Sequence, residues 1–390
     1  MNTLYKNYKL LFGLLTLLLL FSFQANAEIK VGNVPQQVGD VFRPEVEEVT
    51  VKTWAKNLKA PWELVFLPQS NRALVTERPG RIRLIENGQV QNDPYAHIDV
   101  TNRGEGGLLG MAHHPDFPAK PYIYIMYTYS GTDGTTYNRV ARLIDNGTTG
   151  EFDKVIINQL PGATYHNGGR IEFGPDGMLY ITTGETFERS LAQDLDTLGG
   201  KILRLTPEGK IPADNPFKNS PVYSLGHRNP QGLAWHPKTK DLLISDHGPS
   251  GECGLQAKDM VKVIQAGGNY GWPEQIGYFK DNKYLNPLIM WPNTSVPPSG
   301  AVFYKGDLYI ATLRSEALIK VELEHKSGTD YQVKSIARWF AEDRRTGKYG
   351  RLRAVTVGPD GHLYVLTNNR DGRGNAKTND DKILKLIIEE

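Results

Sequence analysis

The 390-residue sequence predicts an all-β fold, a single six-bladed β-propeller over roughly residues 40 to 388. One hairpin signature recurs along it: an apolar approach, a turn rich in Pro, Gly or Asp, a short β-rich run and a polar end. Six copies are present, with starts separated by roughly 45 to 70 residues, as blades around a channel require. No Pro/Ser-rich or charged linker divides the chain in two. A sandwich would explain the many short strands, but not six returns of the same hairpin.

The N-terminus follows a different rule. Lys6 and Lys9 precede an apolar run from Leu10 to Phe23, and Ala25-Asn26-Ala27 supplies the small-residue pattern of a cleavage site. Residues 1–27 therefore read as a secretory signal peptide, leaving 28–390 as one domain. A retained membrane anchor is the alternative, for which the run is short. The chain is irregular to about Glu47, and then Val49, Val51 and Thr53 share one face of a half-buried strand.

The first copy spans Trp62 to Gly88, with Ala73 to Glu77 as its β-rich run. The second leads from Met111 into Tyr122 to Tyr127, and the third from Ile171 through Pro175-Asp176-Gly177 into Leu179 to Glu185. Leu233 to Asp246 forms the fourth, and Ala301 to Thr312 the fifth. The sixth, Val355 through Pro359-Asp360-Gly361 to Thr367, repeats the third closely. A last run, Asp381 to Leu386, is a strand suited to closing the ring. In matching register, Glu77, Glu185, Asp246 and Asn368 fall near one rim or the channel, with the insertions 186–224 and 250–298 expected as loops over that end.

Composition narrows the function classes. Removing residues 1–27 takes two lysines and brings the formal charge from +2 to 0, leaving no broad basic field for nucleic acid. The single cysteine, Cys253, forms no internal disulfide, so stability in an oxidising compartment rests on burial and on any bound metal.

Polar side chains concentrate in Leu225-Gly226-His227-Arg228-Asn229-Pro230-Gln231-Gly232 and in Asp246-His247-Gly248-Pro249. A guanidinium, a carboxamide and turn carbonyls suit an oxygen-rich anionic ligand with a metal, although a structural turn would use the same residues. Gly248 and Pro249 can offer carbonyl oxygens to calcium. His166, in the glycine-rich loop Tyr165 to Arg170, is available as a general base or as a surface turn residue, and Glu185 could orient it. His113 and His114 are adjacent, so on a strand they point to opposite faces and cannot simply share one metal. Glu105 is the one charged member of Gly104 to Gly110, a run that lets backbone approach a ligand but lacks the lysine of a P-loop. Arg351 and Arg353 share one face of extended backbone, where an anion such as a polycarboxylate would offset their repulsion. Arg314 follows the fifth run in a comparable place. Trp291-Pro292-Asn293 offers an aromatic platform and a carboxamide, or a structural turn.

Together, Gly106 to Gly110, Leu225 to Gly232 and Gly267-Gly268-Asn269-Tyr270-Gly271-Trp272-Pro273 strongly resemble the soluble glucose/sorbosone dehydrogenase family, and its secreted aldose sugar dehydrogenase branch most closely. The resemblance covers most of residues 50 to 388 and implies a propeller that uses pyrroloquinoline quinone (PQQ) with calcium. It implies His166 as the base for the sugar C1 hydroxyl, Glu185 as its acidic partner, Arg228 as the group polarising the quinone oxygen, and Asn229 as a cofactor hydrogen-bond partner. Gly248 and Pro249 match calcium-binding carbonyls, and Arg351 and Arg353 match residues that pair with cofactor carboxylates. Arg314 stands where the glucose-oxidising relatives have lysine, Asn293 where they have threonine, and Glu105 where they have a sugar-contacting glutamine, while Trp291 frames the cofactor or substrate space. The implied partners are an aldose and an external quinone, dye or cytochrome, in a periplasmic or secreted location. A cofactor-free binding propeller and a calcium-assisted lactone hydrolase are the competing functions on such an architecture.

Overall fold

The computed structural model describes residues 28–36, 38–281 and 283–389, so the signal-peptide assignment lies outside the described residues. The fold is the expected six-bladed propeller. Blade 1 is built from Pro61–Phe66, Arg72–Glu77, Arg81–Glu86 and Gln89–His97. Blade 2 follows with Leu108–His113, Tyr122–Ser130, Thr136–Asp145 and Gly150–Pro161, and blade 3 with Ile171–Phe173, Leu179–Thr183, Lys201–Leu205 and Val222–Leu225. Blade 4 comprises Pro230–Trp235, Leu242–Asp246, Asp259–Ile264 and Ile289–Trp291, and blade 5 Pro298–Tyr304, Asp307–Thr312, Leu318–Ser327 and Asp330–Trp339. Each blade is an antiparallel meander whose first strand is innermost. Every recurrent hairpin in the sequence is the inner strand pair of one blade.

Blade 6 takes Leu352–Val357, Leu363–Thr367 and Ile383–Ile388 from the C-terminus, and Val49–Ala55 from the N-terminus as its outer strand. The late strand thus closes the ring by pairing with the early one, Leu386 opposite Val51. Two short strands fall in the stretch expected to be irregular: Asp40–Arg43 adds in parallel to the edge of blade 5, and Lys30–Val31 pairs with Gln275–Ile276. Their partners are remote in sequence, so no local periodicity marks them. The insertions 186–224 and 250–298 also differ from expectation, because each contains the two outer strands of its blade. The segments left at the channel end are short, namely 184–200 and 247–258.

Apolar clusters fill the wedges between neighbouring blades. Tyr309, Leu318 and Leu363 join blades 5 and 6, and Leu74, Ile82 and Ile123 join blades 1 and 2. All six are at most 3% exposed, each burying an apolar side chain that stabilises the packing by about 1.5–3 kcal/mol. Polar ties run alongside. Glu77, Asp246 and Asn368 are buried at the ends of second strands, as the register predicts, but they act as ties between backbone segments. Glu77 accepts the Lys59 N–H at 2.7 Å, Asp246 accepts the N–H groups of Arg228 and Asn229 at 3.3 and 2.8 Å, and Asn368 donates to the Pro61 carbonyl at 2.8 Å.

Candidate active site

At one end of the channel the blades enclose a cavity of about 470 Å³. Loops leaving the inner strands supply its walls, because those are the strands nearest the axis. Glu105 comes from the turn before blade 2, His166 and Gly168 from the loop before blade 3, Arg228 from the entry to blade 4, and Arg351 and Arg353 from the start of blade 6.

His166 is the centre of one wall. It is 5% exposed and has φ +56°, a left-handed conformation uncommon for a residue with a Cβ. The neighbouring chain is shaped to admit it: a Cβ on Gly184 would fall 2.0 Å from the His166 carbonyl oxygen. His166 Nδ1 and Glu185 form a short hydrogen bond, and Glu185 is fully buried behind it. Since a carboxylate accepts, Nδ1 carries the proton of the neutral ring and Nε2 is left with the lone pair. The backbone N–H of His166 donates to Glu105 at 3.1 Å, and Glu105 also takes Arg373 at 3.0 Å. Burial opposes ionisation of Glu105, but the Arg373 guanidinium, with the hydrogen bond from the His166 N–H, holds its carboxyl below the usual range.

The opposite walls are cationic. Six arginines line the cavity, Arg78, Arg228, Arg314, Arg351, Arg353 and Arg373, against two carboxylates, Glu105 and Asp371. Asp371 binds Arg351 at 2.7 and 2.9 Å, and Arg228 is paired with Glu252 from the 250–258 segment. Arg353 has no such carboxylate. Its Nη1 donates to Gln231 at 3.0 Å, and burial drives its guanidinium down to about 9. Buried Nε atoms of both Arg353 and Arg78 lack hydrogen-bond partners among the described residues. An uncompensated buried cation is costly, so this wall is built for an anion.

Asn229 and Glu185 lie one layer back. Asn229 Oδ1 accepts the Gly168 N–H at 3.0 Å and Gln231 at 3.2 Å, which fixes the loop carrying His166. Gly248 and Pro249 sit between His247 and Ser250, both of which line the cavity. The Gly248 N–H is held by Asp259 at 2.9 Å, while the carbonyls of Gly248 and Pro249 enter no backbone hydrogen bond among the described residues. Burial pushes Asp259 up to about 6 despite its second contact, with the Val296 N–H at 2.6 Å. Trp62 closes the floor. It is 2% exposed and carries the guanidiniums of Arg353 and Arg170 over its ring at 5.5 and 4.2 Å, and Arg170 in turn lines a second cavity of about 280 Å³.

The structure does not bring Trp291 and Asn293 to this cavity. Trp291 ends the outermost strand of blade 4, donates its indole N–H to Asp40 at 3.1 and 3.2 Å, and with Asn293 lines a separate cavity at the molecule's periphery. The chain then turns inward to begin blade 5, so Ser295 and Pro297 from the same segment reach the axis instead. His113 and His114 do diverge: His113 lines the lower cavity, and His114 packs on Tyr122 and Phe173. Sequence reasoning missed Arg78, Phe187, Ser295, Asp371 and Arg373. Arg78 directly follows the polar end of blade 1, and Asp371-Gly372-Arg373 follows that of blade 6, so the end-of-strand rule extended by a few residues would have found both.

A family model described as Glucose / Sorbosone dehydrogenase matches residues 58–384. The chain belongs to the glucose/sorbosone dehydrogenase family. It is thus a member of a family of oxidoreductases. It is 34% identical to the aldose sugar dehydrogenase YliI of Escherichia coli K12 over 83% of this chain and 91% of that one. Identity to the quinoprotein glucose dehydrogenase B of Acinetobacter calcoaceticus is also 34%, over 91% and 92%. The PQQ-bound aldose sugar dehydrogenase of Streptomyces coelicolor superposes on this family member with a TM-score of 0.75 at 36% identity, covering 87% of this chain and 98% of that one.

Proposed function

We propose that this protein oxidises the C1 hydroxyl of aldose sugars to lactones with PQQ and calcium, and passes the electrons to an external quinone, dye or cytochrome. The observation that carries the reading is one cavity joining a tautomer-fixed imidazole to an arginine wall short of anions. A tricarboxylate cofactor fits that wall: Arg351, Arg353 and the neighbouring Arg78 and Arg314 would pair with its carboxylates, with Ser295 rather than Asn293 as a hydroxyl partner. Gly248 and Pro249 would hold calcium through their carbonyls, the oxygen chemistry that ion requires. When bound, the cofactor supplies the two-electron acceptor for the C1 hydride, with calcium as a Lewis acid on it.

The chain's own residues do the remaining work. His166 Nε2 accepts the C1 hydroxyl proton, and Glu185 stabilises the imidazolium that results. Arg228 sets positive charge beside the oxygen that gains it, held in place by Glu252. Asn229 positions the His166 loop, and Glu105 anchors it beside the sugar. The signal segment supports a periplasmic or secreted location. No helix among the described residues is long and apolar enough to cross a membrane.

The test is an absorbance spectrum of protein loaded with PQQ and calcium, before and after aldoses are added under low oxygen. Sugar-dependent bleaching of the oxidised cofactor is expected. Folded, calcium-loaded protein that binds no PQQ would overturn the reading in favour of a binding propeller.

A further inference from the structure

Beside the imidazole lies a turn that local chemistry does not favour. Glu185 to Glu188 closes a β-turn, with the Glu188 N–H on the Glu185 carbonyl at 2.8 Å. Its central residues, Thr186 and Phe187, have φ +53° and +65°. Two successive left-handed residues make a type I′ turn, which Asn-Gly or Gly-Gly adopts readily and a β-branched residue followed by an aromatic does not. Strain held at a site is a pointer to what the strained residue presents there.

What it presents is a phenyl ring. Phe187 lies over the imidazole of His166 with centroids 4.0 Å apart and planes tilted by 31°. Tyr165 meets it edge-on at 5.7 Å, and Arg373 lies over Tyr165 at 5.1 Å while reaching Glu105. Both aromatic residues line the cavity mouth. One face of Phe187 is taken by His166, yet the residue remains 53% exposed, among the largest values for an apolar side chain in the described residues. Burial alone would not place a strained aromatic there, since most of its surface stays in water.

We propose that Phe187, with Tyr165, is a saccharide platform at the mouth that engages the second ring of a reducing disaccharide while the first ring meets His166. The chemistry is the contact of a pyranose's C–H face with an aromatic ring, and it suits a β-linked glucopyranosyl unit, whose hydroxyls are equatorial and whose faces are apolar. The inference rests on the sugar-oxidising function proposed above. It assigns Phe187 a specificity role, since the ring stands beside the base and takes no part in proton or hydride transfer.

The experiment compares glucose with cellobiose as reductants of the PQQ- and calcium-loaded full chain, for the wild type, Phe187→Gly and Phe187→Tyr. Loss of one aromatic contact should lower kcat/KM for cellobiose about tenfold more than that for glucose in Phe187→Gly, mainly through KM. Phe187→Tyr should restore the ratio. Glycine relieves the left-handed strain, so the Tm of Phe187→Gly should equal or exceed that of the wild type. An unchanged cellobiose-to-glucose ratio in Phe187→Gly, an equal fall for both sugars, or a wild type that oxidises glucose but not cellobiose overturns the platform and leaves the dehydrogenase standing. A wild type in which no sugar bleaches the cofactor overturns both.

Discussion

Because Glu185 occupies Nδ1 of His166, the imidazole can take a proton only at Nε2, so the reactivity of the proposed base depends on a side chain that does not line the cavity. His166→Gln keeps a polar group in the loop but removes that lone pair. PQQ binding should persist, while the rate of sugar-dependent bleaching falls about 10²- to 10⁴-fold, read by stopped-flow absorbance. Arg353 offers the opposite experiment. Its guanidinium is buried with no carboxylate paired to it among the described residues, and burial pushes it down to about 9, a cost that a bound anion would offset. Arg353→Met should therefore leave the Tm of the cofactor-free protein unchanged or raised. The same variant should weaken PQQ binding by about 10- to 100-fold in a spectroscopic titration, the worth of a charged hydrogen bond.

At the scale of elements, the approach of the His166 loop to the blade 3 strand is set by the absence of one methyl group. In Gly184→Ala the added carbon would meet the His166 carbonyl at 2.0 Å, so strand or loop must shift. The expected loss is about 1–3 kcal/mol of stability, together with lower turnover, measured by denaturant unfolding and by the bleaching assay. The inner hairpins were legible in the sequence because their chemistry is local. Asp176 accepts the Met178 N–H and the Tyr180 hydroxyl, and Asp360 repeats both contacts with His362 and Tyr364, so identical motifs give identical turns. The glycine-rich loop around His166 was readable for the same reason. Trp291 and Asn293 were not, because whether a residue faces the axis or the rim depends on which strand of the blade it ends. Phe187 carries no motif at all, and its place follows only from a strained turn folded back on His166.

Across the whole molecule, buried ionisable groups link stability to pH. His227 is fully buried, stacks on Tyr270 at 5.0 Å, and is approached by the Lys262 ammonium at 3.4 Å from Nδ1. Burial first, and Lys262 second, drive it down to about 4 from an ordinary value of 6.5. Between those values the unfolded chain binds the proton and the folded one does not, so the contribution of His227 to stability rises with pH across the window and is lost as pH falls from 6.5 towards 4. Asp259, raised to about 6, contributes with the opposite sign, so the check is a difference: between pH 4 and 7 the urea midpoint of the wild type should rise with pH more steeply than that of His227→Gln, whatever the variant's effect at neutral pH.

The floor at Trp62 has a kinetic meaning. Gln231 is hydrogen-bonded through its side chain to Arg353 and through its carbonyl to Arg170, and both guanidiniums lie over the indole, so a packed polar cluster stands on the inner side of the cavity. A ligand held above the arginines meets that cluster on its inner side. On the function proposed above, a reductant and an oxidant that share this cavity would be served in turn, the first departing as product before the second arrives. On that reading, the bound cofactor would then hold the electrons through the interval between the two visits.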